Sequence, residues 1–285
     1  MRGWIRGYVI MMIKWQIILP IGILGFWLLI AIAEPWLPLQ PNQVVLPDIL
    51  QPPSLSTWLG NDDLGRPIVD RLIMGAKTSF FVAFWVVLLS TSLGTLIGMV
   101  SAWLGGYIDL AIVRLIDIFL AFPGILLAIA LSGLLGPGIE NVVFALSTVG
   151  WVGFARLARA QTLSLKHREH VRAAVALGAE TPRILWFHVL PLLTAPLIIE
   201  ATFGIAAIVI AEAGLSFLGL GVQPPAASWG SMIRDGTEYM LVAPHLVLAP
   251  GIALLLVVMS VNTLGDRLRD RLDVKTNNRS NLTAT

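Results

Sequence analysis

Few side chains in this sequence of 285 residues are equipped for chemistry, since 56% of it is hydrophobic and only 13% charged. His167 and His170 stand at i, i+3. Two imidazoles do not complete a metal site without further ligands, and the pair reads as loop histidines near lipid headgroups. Arg114 and Asp117, also at i, i+3, and Glu200 lie inside apolar runs. The chemistry open to these three is ion pairing, contact with a polar substrate, or gating. An interior cluster satisfied within the protein is the simpler reading. At about 100° per residue, Glu200 shares a helical arc with Ala201, Gly204, Ala207, Ala211 and Gly214. Small residues mark a close-packing face, so Glu200 is expected in the interior. Glu212, near the end of the same run, reads as a solvated residue at a span end.

Much is missing that chemistry would need. The sequence has no cysteine, which removes thiol nucleophiles, thiolate metal sites and disulfides. It has no His-Glu-x-x-His, no Ser/His/Asp arrangement and no Gly-x-x-x-x-Gly-Lys-Ser/Thr phosphate loop, so nothing here is built to hold or cleave a nucleotide. No catalytic residue, metal or other cofactor is assigned to the chain.

The elements that carry these residues are membrane spans. Soluble domains are about 25% charged, and no single soluble core hides this much apolar surface. The expected fold is an all-α polytopic membrane protein of about six spans. They are read near 15–33, 78–103, 109–135, 139–157, 192–217 and 243–264. The first apolar run is longer than the core of a signal peptide and is read as a retained span. A proline-rich connection (Pro35, Pro38, Pro41, Pro47, Pro52, Pro53) follows it, and proline favours an extended path there. Asp62 or Asp63 is placed to cap a short helix over Val69–Ile73. Pro123 predicts a kink in the third span. The resulting organisation is an N-terminal span with its external segment over 1–75, a five-helix core over 76–267, and a tail over 268–285.

Charge gives the orientation. Arg2, Arg6 and Lys14 precede the first span. Arg156, Arg159, Lys166, Arg168, Arg172 and Arg183 surround the loop after the fourth span. Arg267, Arg269, Arg271, Lys275 and Arg279 follow the last span. Under the positive-inside rule both termini and that loop are cytoplasmic. The net charge of +2 is explained by these loops, so a basic nucleic-acid surface is not implied.

The loop over 163–191 is the longest polar interruption in the second half of the chain. Its first part is crowded with Ala173, Ala174, Ala176, Gly178 and Ala179, and Thr181-Pro182 then breaks and restarts it. Thr181 suits an N-cap and Pro182 the first helical turn. Two short helices with a sharp turn make a projecting elbow, lined by small residues that let another protein approach closely. An ordinary amphipathic interfacial loop is the competing reading.

This loop resembles the cytoplasmic EAA loop of ABC-importer permeases, through Arg172-Ala173-Ala174, Gly178 and Leu190-Pro191. Arg172 stands where that motif has Glu, and Glu169 lies one turn earlier. Other blocks are similar to the C-type permeases of dipeptide, oligopeptide and nickel importers. They are Leu59-Gly-Asn-Asp-Asp-Leu-Gly-Arg66, Asp117-Ile-Phe-Leu-Ala-Phe-Pro123, Ala211 to Pro225 with Ser228-Trp-Gly230, and Asn262 to Asp270. The resemblance runs almost without gaps from Trp58 to Asp273.

It implies a type I importer permease fold in a bacterial inner membrane, N-in and C-in. It also implies a second permease subunit, two separate ATPase subunits and an extracytoplasmic solute-binding protein. Glu169, Arg172, Ala173, Ala174, Gly178, Ala179, Leu190 and Pro191 would be the ATPase-coupling residues. The turn Val222-Gln-Pro-Pro225 would be either a docking point for the binding protein or a plain re-entrant turn. An ion-coupled secondary transporter is the rival, and it predicts broken helices at matching places in inverted repeats. Pro123 and Pro250 do not match in this way.

Overall fold

The structure, a computed structural model, describes the backbone of residues 2–282 and the side chains of residues 17–272, except Ser56 in both. Arg2, Arg6, Lys14, Lys275 and Arg279, which entered the charge count, have side chains outside the described residues. The chain is all-α, with helices α1 (Arg2–Ala33), α2 (Ile68–Leu104), α3 (Gly106–Leu120), α4 (Gly124–Leu135), α5 (Ile139–Leu165), α6 (Glu169–Ala176), α7 (Thr181–Ile184), α8 (Leu190–Phe217), α9 (Trp229–Thr237) and α10 (His245–Leu282). Among the described residues, α1, α2, α5, the run from α7 through α8, and α10 are long and apolar enough to cross a membrane. The α3 and α4 pair makes the sixth candidate span, bent by 85°.

That bend is sharper than the kink expected at Pro123. The chain breaks over residues 121–123, and Pro123 becomes the extended residue before α4. Proline supplies no N–H and crowds the preceding turn, so the ladder stops there. The expected short helix over Val69–Ile73 is simply the start of α2. Pro67 precedes α2 in an extended conformation, and neither Asp62 nor Asp63 caps it. The fourth span also runs further than expected, carrying Arg156 and Arg159 on helix to Leu165.

The centre of the bundle is the α2–α5 crossing. Gly94 and Gly98 lie so close to α5 that a Cβ on either would overlap the carbonyl oxygen of Trp151 or Ala155. Apolar burial drives little association between helices in lipid, so close backbone approach and dispersion hold this contact. Val82 and Val86 of α2 pack with Val142 and Leu146 of α5 and Leu215 of α8. At the outer end Trp27 of α1 donates Nε1–H to the Ala76 carbonyl (3.1 Å) and sits against Trp229 of α9.

Candidate functional site: the cytoplasmic elbow

Arg168 enters α6 in an extended conformation. Val171 and Ala174 on one face of α6 are buried and pack with Leu165, Ile184, Leu185, Val189 and Leu193. Arg172, Ala173, Val175 and Ala176 point outward. The helix is amphipathic because its apolar positions recur three residues apart. Its end is a Schellman motif, in which Ala179 N–H reaches the Ala174 carbonyl (3.0 Å) and Gly178 N–H the Val175 carbonyl (3.0 Å). The motif needs a left-handed residue, and Gly178 has φ +79° with no atom within 4 Å of where a Cβ would stand. Gly178 is therefore required for its conformation, with open space around it.

The elbow exposes several apolar side chains. Leu177, at its turn, is 89% exposed, and further along the chain Phe187 is 72% and Trp186 59% exposed. Beside Trp186, an apolar groove of about 220 Å³ runs from Val100 and Leu104 of α2 to Pro182.

The second short helix differs from expectation. Glu180, rather than Thr181, occupies the cap position. The helix runs through a π segment, Leu185–Val189, straight into α8. Pro191 explains the π segment. It has no N–H for the carbonyl four residues back, so the ladder widens locally. Leu190 and Pro191 thus sit at the joint between elbow and span, apart from the exposed tip. The expected coupling residues divide into three groups: Arg172, Ala173 and Gly178 with exposed Glu169 on the outside, Ala174 and Ala179 packed inward, and Leu190 with Pro191 at the joint.

Sequence reasoning missed the clamp that holds the elbow to the body. Arg159 of α5 grips Asp109 of α3 through both carboxylate oxygens, at 2.6 Å each, and Ser101 of α2 donates to the same carboxylate at 2.7 Å. Trp103 donates Nε1–H to the Thr181 hydroxyl (3.2 Å), while Lys166 donates to the Trp103 carbonyl (2.7 Å) and lies over its ring. Bidentate charged pairs of this kind fix geometry as well as energy. The signal was present in the basic residues of this loop, but it was spent on orientation.

The intramembrane charges are arranged differently from the interior cluster expected. Arg114 and Asp117 form a long pair, 3.7 Å, with side chains 73% and 54% exposed. Glu200 is also exposed and lies beside Gly153 of α5. The small-residue arc of α8 packs only in part within this chain: Ala201 and Ala211 meet apolar neighbours and Gly204 lies near Phe154, whereas Ala207 and Gly214 are exposed, and Gly214 has no neighbour within 4 Å of a Cβ position. Helix α8 buries Leu193, Leu197, Val209 and Leu215 against the rest of the chain. Glu212, expected to be solvated, is buried as well. His167 and His170 are exposed.

The external end has its own polar cluster. Asp62 accepts from the backbone N–H of Leu64 and Arg66, from Arg66 Nε at 2.7 Å, and faces Arg71 Nε at 3.3 Å. Burial, and then the Asp62 charge, raises the neighbouring Asp63 carboxyl above its ordinary range, against the pull of Arg66.

The chain is a helical membrane protein with a short two-helix elbow between α5 and α8. Comparison with known proteins specifies the class. Residues 94–278 match the family of binding-protein-dependent transport system inner membrane components, and the chain belongs to that family. The dipeptide transport system permease protein DppC of Alkalihalophilus pseudofirmus is 41% identical over 89% of this chain and 84% of its own length. The glutathione transport system permease protein GsiD of Pectobacterium atrosepticum is 41% identical over 78% of this chain and 74% of its own. The nickel transport system permease protein NikC of Escherichia coli is 38% identical over 91% and 94%.

The fold agrees. The MetNI methionine ABC transporter, solved in inward-facing conformations, contains a chain that superposes with a TM-score of 0.58 at 19% identity, covering 72% of this chain and 97% of that one. The chain is a multi-pass inner-membrane permease subunit of an ABC importer, which operates with ATPase and solute-binding partners. Family membership sets aside the ion-coupled transporter.

Proposed function

We propose that the chain translocates di- or oligopeptides, or a related small solute such as a nickel chelate, by alternating access driven through its elbow by separate ATPase subunits. The names of its relatives motivate the substrate class. The observation that carries the coupling role is the exposed turn at Leu177 and Gly178, which projects from a loop fastened to the body through Val171 and Ala174. Val171 and Ala174 fasten α6 to the body, Gly178 sets the turn that projects the tip, and the Leu190–Pro191 joint lets the elbow move relative to α8. Arg172 lies on the outer face of α6 and brings positive charge to the ATPase contact.

The assembly proposed is a heterodimer with a second permease subunit, carrying two ATPases and fed by an external binding protein. The open part of the α8 arc and the exposed Arg114, Asp117 and Glu200 favour a second permease on that side, because charges at membrane depth face protein or water. Gly178→Leu tests the coupling role. Transport should fall to background while the chain remains in the membrane with its partners. Normal transport by this variant would refute the role assigned to the elbow.

A further inference from the structure

The outer end of the bundle holds a buried carboxylate that the translocation reading does not use. Glu212 of α8 is 1% exposed, and its partners are hydroxyls. Ser79 of α2 donates to Oε2 at 3.0 Å, and Ser216 of α8 donates to Oε1 at 2.7 Å. Burying a carboxylate away from water is unfavourable unless donors surround it, and here the donors come from two helices, with Ser216 packed directly under Gly221. Ser228 is the N-cap of α9, where it forms a capping box with Ser231.

The surroundings leave the start of α9 little freedom. Trp229 Nε1–H reaches the Leu72 carbonyl at 3.0 Å, and Thr78 Oγ1 donates to the Ala227 carbonyl at 2.9 Å. A Cβ on Gly230 would overlap the Ala213 backbone, and one on Gly221 would overlap Ser216. Between these fixed points only Gln223, Pro224 and Pro225 stand out into solvent. The carboxylate is thus the place where α2, α8 and the external segment are joined behind an exposed turn.

We propose that Glu212 is a positioning residue for the external docking face. By joining α2 to α8 where Ser216 packs under Gly221, it sets where the Gln223–Pro225 turn meets the solute-binding protein. This rests on the importer reading above. Because α8 also leads to the elbow, Glu212 ties the docking turn to the helix that the ATPases move.

The test uses the assembled complex in lipid vesicles, with ATP hydrolysis followed against the concentration of its binding protein. Glu212→Ala should raise the half-saturating concentration by about tenfold or more, the equivalent of losing one or two charged hydrogen bonds, with the basal rate unchanged. Glu212→Gln, which keeps the size and still pairs with serine hydroxyls, should restore most of the affinity. Ser79→Ala removes one donor without touching the α9 cap and should give an intermediate shift. It also serves as the test if Glu212→Ala does not assemble. Unchanged half-saturation in Glu212→Ala, or in Ser79→Ala where the first variant is lost, overturns the proposal. A wild-type complex that no binding protein stimulates overturns the importer reading, and this proposal with it.

Discussion

The two ends of this molecule hold their polar groups differently. At the external end, charged and hydrogen-bonding groups are folded inward: Asp62, Arg66 and Arg71 are buried together, and Glu212 is enclosed by serines. At the cytoplasmic end, Leu177 and the charged side chains of α6 are turned outward on a loop fastened to the body through Val171 and Ala174, while exposed apolar side chains such as Leu55, Trp58 and Leu241 also occur at the external end. The glycines follow the same division. Gly65 and Gly178 both have positive φ, but a Cβ on Gly65 would overlap the Val45 carbonyl, whereas Gly178 faces open space. A surface that satisfies itself holds a shape. The elbow leaves Leu177 uncovered beside Gly178, and this is the surface proposed above to meet an ATPase subunit.

Substitutions at the two ends should break or sharpen this contrast. The largest effect is expected at Gly65→Ala, where left-handed strain adds to a backbone collision and costs on the order of 3 kcal/mol. Gly178→Ala has the strain alone, about 1 kcal/mol. Thermal unfolding of the two purified variants should therefore show the larger drop for Gly65→Ala, and equal drops would remove the distinction between the ends.

Asp62→Ala comes next. It removes the shared carboxylate of Arg66 and Arg71, leaving them Asp63 and the Pro41 carbonyl, and should cost about 1.5–3 kcal/mol by the same measurement, with little change in ATPase affinity. Weakened ATPase binding by this variant would show that the ends are not separable. The smallest effect on stability is expected at Glu200→Gln, an exposed position. If this variant assembles normally but transports poorly, Glu200 meets the substrate or gate. If assembly fails, its place is structural, against the second permease.

The sequence made the membrane class, the number of spans and the position of the elbow legible, because apolar length and basic loops report them directly. Gly178 was legible as part of a turn through its place after an alanine-rich helix. What the sequence hid was direction. The arc from Glu200 to Gly214 reads as a packing face from composition, yet this chain covers only part of it and leaves Glu200, Ala207 and Gly214 exposed, because small residues mark close packing without saying which chain supplies the other side. Glu212 was misplaced for a related reason. One of its serine partners, Ser79, lies 133 positions away in sequence, and only the tertiary fold brings the two together. The Asp109–Arg159 clamp likewise joins residues 50 positions apart, beyond the reach of local pattern.

The central claim is that the elbow tip is covered by an ATPase subunit. The chain contains no cysteine, so Leu177→Cys introduces a single thiol into it at the tip. In the assembled complex, a short thiol-directed cross-linker should join this position to an ATPase subunit, and the cross-linked complex should lose transport. If Leu177→Cys instead remains freely labelled by a soluble thiol reagent in the intact complex and no ATPase is captured, the tip is uncovered and the coupling account is wrong.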